Sequence, residues 1–290
     1  MDQRSRFDNM TNLSEDDQKL VFDFGSGVQA SAPHHTIHGA FESIVDVHPG
    51  VLAAVHDGQK ITYKQLDISA NRLANYLVGS GLLPGQRVCL VVQRSLDMLV
   101  GMMAILKAGC QYVPIDGGVA SDQSLRHIFE DTDARFILCL PRFWDRVNKF
   151  KGQDAIVLEL GMETGAFFSP TRPGIKVSPE DGVYAMYTSG VDVKHTTMTN
   201  ALLLEPGKLG MTVGTKVAQV LSISFAMGAW EMLGSLVNGA TLYLRTSDWS
   251  ATLTQVDTLI CTPSILAKHS QRDFPNIKTV AVAGEACPQS

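Results

Sequence analysis

The chain has 290 residues, 45% hydrophobic and 18% charged, enough apolar material for a large α/β domain or two ordinary ones and too much for a disordered chain. Twenty-four Lys and Arg against 29 Asp and Glu give a formal charge of −5, so there is no cationic excess to neutralise a nucleic-acid backbone or coat an anionic membrane. No apolar run reaches the length of a membrane span, and the opening segment MDQRSRFDNMTNLSEDDQKL lacks the apolar stretch of a secretory signal. Cys89, Cys110, Cys139, Cys261 and Cys287 are scattered, with no CxxC pair, and read as reduced core thiols of a cytoplasmic protein. The eight histidines, including His34, His35 and His38, show no metal-ligand spacing, so no metal site is expected.

Residues 1–33 form a polar leader ending in FGSGVQASAP, with one short helix near 15–21. Strand–helix alternation begins at about residue 34. Thr62 and Gln65 fit a capping box, and Leu66, Ala70, Leu73 and Leu77 share one face of the helix that follows, stopped by Gly79, Gly81 and Pro84. Residues 88–92 are apolar throughout, as in a strand covered on both faces. Ser95 caps a helix that presents Leu99, Met103 and Leu106 and ends at Gly109; a short strand stopped by Pro114 follows. Further strands are expected at 136–140, 155–158, 183–187, 217–221, 242–244, 258–261 and 279–282, and helices at 121–131, 197–204, 226–236 and 264–269.

This alternation predicts parallel strands with helices on both faces, a three-layer α/β/α architecture. The Gly-, Pro- and Ser-rich stretch 160–182 divides it into a first subdomain (34–165) and a second (175–290).

Four segments carry chemistry or its scaffolding. The string from Leu106 to Asp116, LKAGCQYVPID, is by itself a helix end, a glycine cap and a strand. Tyr187-Thr188-Ser189-Gly190 lies between a strand and a helix, a turn able to wrap a phosphate with hydroxyls and backbone N–H groups. Ser222 to Leu233 is a helix start in which Phe225, Trp230 and Leu233 read as core. The strands at 258–261 and 279–282 end in tight turns, and in an open parallel sheet such ends face the ligand crevice. His195 reads as an ordinary exposed loop histidine. No nucleophile–base constellation is present, so no catalytic residue is assigned.

In order, these strings resemble the motifs of the adenylation domains of nonribosomal peptide synthetases, members of the adenylate-forming superfamily. Ile61-Thr62-Tyr63-Lys64-Gln65-Leu66 resembles LTYxEL, LKAGCQYVPID resembles LKAGxAYVPID, and YTSG resembles the head of the phosphate loop YTSGTTGxPKG. The segment Phe225 to Glu231 resembles FDxSxxE, and the leader Leu-Ser-Glu-Asp-Asp resembles the linker before adenylation domains, including those of fungal siderophore synthetases. The resemblance implies ATP-dependent activation of an amino or other carboxylic acid as an acyl-adenylate, with ATP and Mg²⁺ as partners in the reaction and a carrier (thiolation) domain as acceptor. It implies Thr188, Ser189, Gly190 and Lys194 at the phosphates and Gly284 and Glu285 near the adenine. Ala226, Met227, Trp230, Ile260, Ala281 and Ala283 would line the acid pocket.

The departures from the family pattern qualify that expectation. Matching Lys194 to the motif lysine leaves only residues 191–193 where five are expected, without the second glycine or the proline. Val191 and Val193 are β-branched and Asp192 is anionic, so a poor grip on ATP is expected. Ala226 stands where the family aspartate pairs with the substrate ammonium, which favours an aryl, hydroxy or keto acid, or loss of acid binding. The sequence ends at Ser290, before the family's NxYGPTE-like segment, its ribose-binding aspartate and its lysine-bearing C-terminal subdomain, and contains no phosphopantetheine serine. The expectation is therefore the N-terminal part of an adenylation domain, truncated and impaired. A non-catalytic remnant or a protein-binding module, docking where the missing subdomain would pack, stays open beside it. An unrelated nucleotide-binding α/β protein is the third reading.

Overall fold

A computed structural model describes residues 13–25, 30–161, 163–187 and 190–287. The chain divides into two compact units, residues 1–31 and 32–290. In the first, helix α1 (Glu15–Gly25) starts at Ser14, whose hydroxyl accepts the Asp17 amide, and carries three acidic residues in its first turn, where the helix dipole favours them.

In the second unit the chain runs through α2 (Ile37–Val47), β1 (Leu52–His56), β2 (Gln59–Thr62), α3 (Tyr63–Gly79), β3 (Arg87–Val92) and α4 (Leu96–Lys107). It continues through β4 (Gln111–Asp116), α5 (Asp122–Thr132), β5 (Phe136–Cys139), α6 (Trp144–Phe150), β6 (Ile156–Glu159), β7 (Gly182–Met186) and β8 (Val191–Lys194). The last part holds α7 (His195–Leu203), β9 (Lys216–Gln219), α8 (Ala226–Val237), β10 (Thr241–Leu244), α9 (Trp249–Leu253), β11 (Thr258–Cys261), α10 (Pro263–Leu266) and β12 (Thr279–Val282).

Two six-stranded sheets result, one ordered β6-β5-β3-β4-β7-β8 and the other β12-β11-β9-β10-β1-β2. Most pairs are parallel; the antiparallel hairpins β1–β2 and β7–β8 each close one edge. Sheet membership crosses the 165–175 division of the sequence. Strands β1 and β2 join β10 of the later sheet, whereas β7 and β8 complete the earlier one.

Local chemistry sets the elements. At α3 both halves of the capping box form: Gln65 N–H donates to the Thr62 hydroxyl, and Thr62 N–H donates to the Gln65 side chain. Ser95 caps α4 by accepting the Met98 amide. Nearly every residue of α4 and α8 is buried, as befits helices covered on all sides. Strand β4 is not stopped by Pro114 but runs through it to Asp116. It pairs with β7 at Tyr112↔Tyr184 alone, so the missing proline N–H falls where that ladder has already ended.

Helices α2, α3 and α4 meet on a buried ion cluster. The fully buried Lys107 ammonium contacts Asp67 at 2.7 Å and also pairs with Glu42. Arg172 reaches Asp46 at 2.6 Å and Glu42 at 3.5 Å. The side chains of Asn71 and Asn75 donate to the carbonyls of Ser169, Pro170 and Thr171, tying the Gly/Pro-rich connection down onto α3. Cys89, Cys110, Cys139 and Cys261 are buried thiols; Cys287 is exposed.

Candidate functional site

The phosphate turn of the sequence is a tight hairpin. Met186 pairs with Val191, Ala185 with Asp192 and Tyr184 with Val193, so only residues 187–190 connect β7 to β8. Residues 191–193 therefore belong to a strand and not to a shortened loop; the motif's TTGxPKG has no counterpart between Gly190 and Val191. Thr188 and Ser189 lie outside the described residues. Gly190 takes φ +65°, a turn conformation that suits glycine. The Tyr187 hydroxyl donates to Asp131 at 2.5 Å, and burial with this carboxylate beside it pushes the phenol's pKa up.

Lys194 is not brought to this turn. It ends β8 at the far side of the hairpin, and its ammonium donates to Glu180 at 3.0 Å. Asp192 points to the same side, where it accepts from Arg87 at 2.9 Å and Gln111 at 2.5 Å. These ion pairs rim a polar cleft of about 530 Å³ at the amino ends of β3 and β4, the opposite end from the crevice.

His195 is buried, not an exposed loop residue. Its Nδ1 accepts the Ile37 amide at 3.0 Å, joining the start of α7 to the start of α2. Accepting there places the ring proton on Nε2. Burial lowers its pKa to about 4, partly opposed by Asp181, so it supplies no positive charge at neutral pH. His38 packs edge-on to it at 5.5 Å, and burial, His195 and Lys107 together lower its pKa to about 3.

Of the residues expected at the acid pocket and adenine, Gly284 and Met227 come together. Strands β9, β11 and β12 are parallel and end together at the start of α8, the geometry of a strand-end crevice. A Cβ built on Gly284 would lie 3.3 Å from Met227 Sδ and 3.7 Å from both Phe225 and Thr262, so the ends of β11 and β12 meet the α8 N-terminus there. Ala226 is exposed and Met227 buried at the head of α8; Trp230, one turn on, shares their face and donates its indole N–H to the Gly207 carbonyl at 2.7 Å. Ile260 is fully buried and pairs with Ala281, and the Ala283 amide donates to the Cys261 carbonyl at 3.3 Å. Glu285 accepts from the Ser264 amide and hydroxyl at 3.1 and 2.9 Å, which lowers its pKa.

Sequence reading did not single out the polar frame behind this crevice. The Glu231 carboxylate, fully buried, accepts the Val220 amide at 2.9 Å, the Leu221 amide at 3.2 Å and the Gln219 side chain at 2.8 Å. Burial pushes its pKa up to about 8 against the pull of these donors and of Arg94. From the far sheet Arg94 donates to Gln219 at 2.6 Å, to the Val220 carbonyl at 3.0 Å and to the Leu221 carbonyl. The Asp116 amide donates to the Ser224 hydroxyl at 3.0 Å. The signals in sequence were the closing Glu231 of the segment that resembles FDxSxxE, a charge within an apolar helix face, and an arginine directly before a capping serine.

Two parallel-rich sheets whose strand ends frame a small-residue crevice define an adenylate-forming type of domain. The chain belongs to the AMP-binding enzyme family, which matches residues 41–290. It is 43% identical over 98% of its length to adenylate-forming reductase 06235 of Coprinopsis cinerea, of which it spans 29%. It is 31% identical over 80% of its length to surfactin synthase subunit 2 of Bacillus subtilis, spanning 6% of that protein. The AMPPNP-bound form of the nonribosomal peptide synthetase FmoA3 superposes on 95% of the chain with a TM-score of 0.85 and 22% identity, over 31% of that protein. The chain thus spans less than a third of each of these proteins. Among the described residues no helix is long and apolar enough to cross a membrane.

Proposed function

We propose that the chain supplies the acid-binding crevice of an adenylate-forming domain of the reductase or peptide-synthetase kind, but holds the phosphates of ATP weakly. The hairpin carries this reading. Four residues connect paired strands, and Lys194 is engaged by Glu180 at the other end. A carboxylate attacking the α-phosphate of ATP meets another anion, so a grip of donors and cations on the phosphates is what the reaction needs. The described residues of the turn offer neither a second glycine nor a cation.

The crevice also favours a particular acid. Exposed Ala226 at the head of α8 offers an ammonium no counter-ion, and the amides of a helix start favour an anion. An aryl, hydroxy or keto acid suits this better than an α-amino acid. The downstream acceptor would be a carrier domain or a reductase module, as the names of the relatives suggest.

Calorimetric titration with Mg·ATP, followed by acid-dependent pyrophosphate exchange, tests the reading. Weak ATP binding without exchange is the expected result. Micromolar ATP affinity with exchange driven by an α-amino acid would overturn both parts.

A further inference from the structure

Arg94 and Arg245 come from different sheets, Arg94 after β3 and Arg245 directly after β10. Both guanidinium groups meet on a single acceptor: the Val220 carbonyl takes Arg94 Nη2 at 3.0 Å and Arg245 Nε at 3.1 Å. Both side chains are only partly buried. Among the described residues neither forms an ion pair, whereas Arg87, Arg146 and Arg172 each do. Arg245 is held in place by the face of Trp249, 4.4 Å from its ring centre.

Two like charges drawn together without a carboxylate in contact are costly in a partly desolvated setting. Asp116 and Glu231 are the acidic groups that face the pair, and both act on it from beyond ion-pair distance. Glu231 is already engaged by two amides and Gln219, and Asp116 accepts the Gly118 amide. The hydrogen bonds of Arg94 use Nε and Nη2, and those of Arg245 use Nε and Nη1. Among the described residues one terminal nitrogen of each fork has no protein acceptor.

We propose that Arg94 and Arg245 form an anion-binding centre, separate from the β7–β8 turn, that takes a phosphate or carboxylate group of a ligand. Planar guanidinium forks match such oxyanions in geometry, and two of them match a doubly charged one in charge. The bound group rests against the 220–225 turn that leads into α8, so it also stiffens the approach to Ala226 and Met227. Neither the hairpin nor a nucleotide is needed for this centre to fill.

Titration of the whole chain with inorganic pyrophosphate, without metal, and separately with benzoate distinguishes the two sources of the anion. Wild type, Arg94→Met and Arg245→Met are compared, with Arg135→Met as a surface control. Saturable binding of either probe, weakened about tenfold or more by each of the first two substitutions and unchanged by the third, is the expected result. The probe that binds names the class. If Arg94→Met fails to fold, Arg245→Met alone decides, read also as loss of the thermal shift that the probe produces in wild type. No binding of either probe, or binding that Arg245→Met leaves unchanged, overturns the centre. Because the titration omits ATP and Mg²⁺, it fails or succeeds independently of the nucleotide reading.

Discussion

The Lys107 side chain has no exposed surface, and among the described residues its ion-pair partners are Glu42 and Asp67. Lys107→Met is expected to leave Asp67 without its ion-pair partner and Glu42 with Arg172 alone, at 3.5 Å, and to cost about 3–5 kcal/mol, read as a lower urea midpoint. The two buried histidines act through pH. Folding lowers His195 from 6.5 to about 4 and His38 from 6.5 to about 3, so between those limits the unfolded chain holds protons the folded one refuses. Their contribution is intact above pH 6.5 and is lost progressively as pH falls toward 4 and then 3, at about 1.4 kcal/mol per unit for each group. His195→Asn, which keeps an acceptor for the Ile37 amide, is expected to flatten this acid slope in urea titrations at pH 7 and pH 5. A variant as acid-sensitive as wild type would place the sensitivity elsewhere.

The elements show what a sequence can disclose. Helix α3 was legible because its cap, its apolar face and its stop agree, and β3 because five apolar residues in a row leave little choice. Strands β1 and β2 were missed: they are short, half-exposed and continuous with the α3 cap, and their partner β10 is remote. Strand β8 was misread for a different reason. Its text, VDVK, was matched to a loop motif, although alternation of Val191, Asp192, Val193 and Lys194 with only Val193 buried is a strand pattern. That Gly284 lies beside Met227 was to be expected through resemblance alone; nothing in their spacing brings them together. Insertion of Thr-Thr-Gly-Lys-Pro-Lys-Gly after Gly190, which leaves β8 intact, is expected to raise Mg·ATP affinity about tenfold or more by calorimetry. Replacement of residues 191–193 by a glycine-rich segment is expected to remove the β7–β8 pairing and lower the melting temperature instead.

At the scale of the whole molecule, the four sheet edges are unequal. Strand β8 carries Asp192 and Lys194 outward, and β2 carries Gln59 and Lys60, side chains that discourage edge pairing. Strand β12 is TVAV, with Val280 46% and Val282 38% exposed, and among the described residues it pairs on one side only. For residues 1–290 prepared by themselves, concentration-dependent association through this edge is expected, and Val280→Lys with Val282→Lys should shift sedimentation toward a single copy. Equal association by the double variant would clear β12 of that role. The exchange of hairpins between sheets bears on how the chain is made. Ala54 pairs with Leu242, and the His56 ring meets the Leu244 carbonyl across 188 positions. On a ribosome, β1 and β2 leave the tunnel early and must wait, with no strand beside them but each other, until β10 has been synthesised. A nascent chain halted in the 160–182 connection would hold neither sheet complete, so stalled intermediates of that length are natural clients for chaperones.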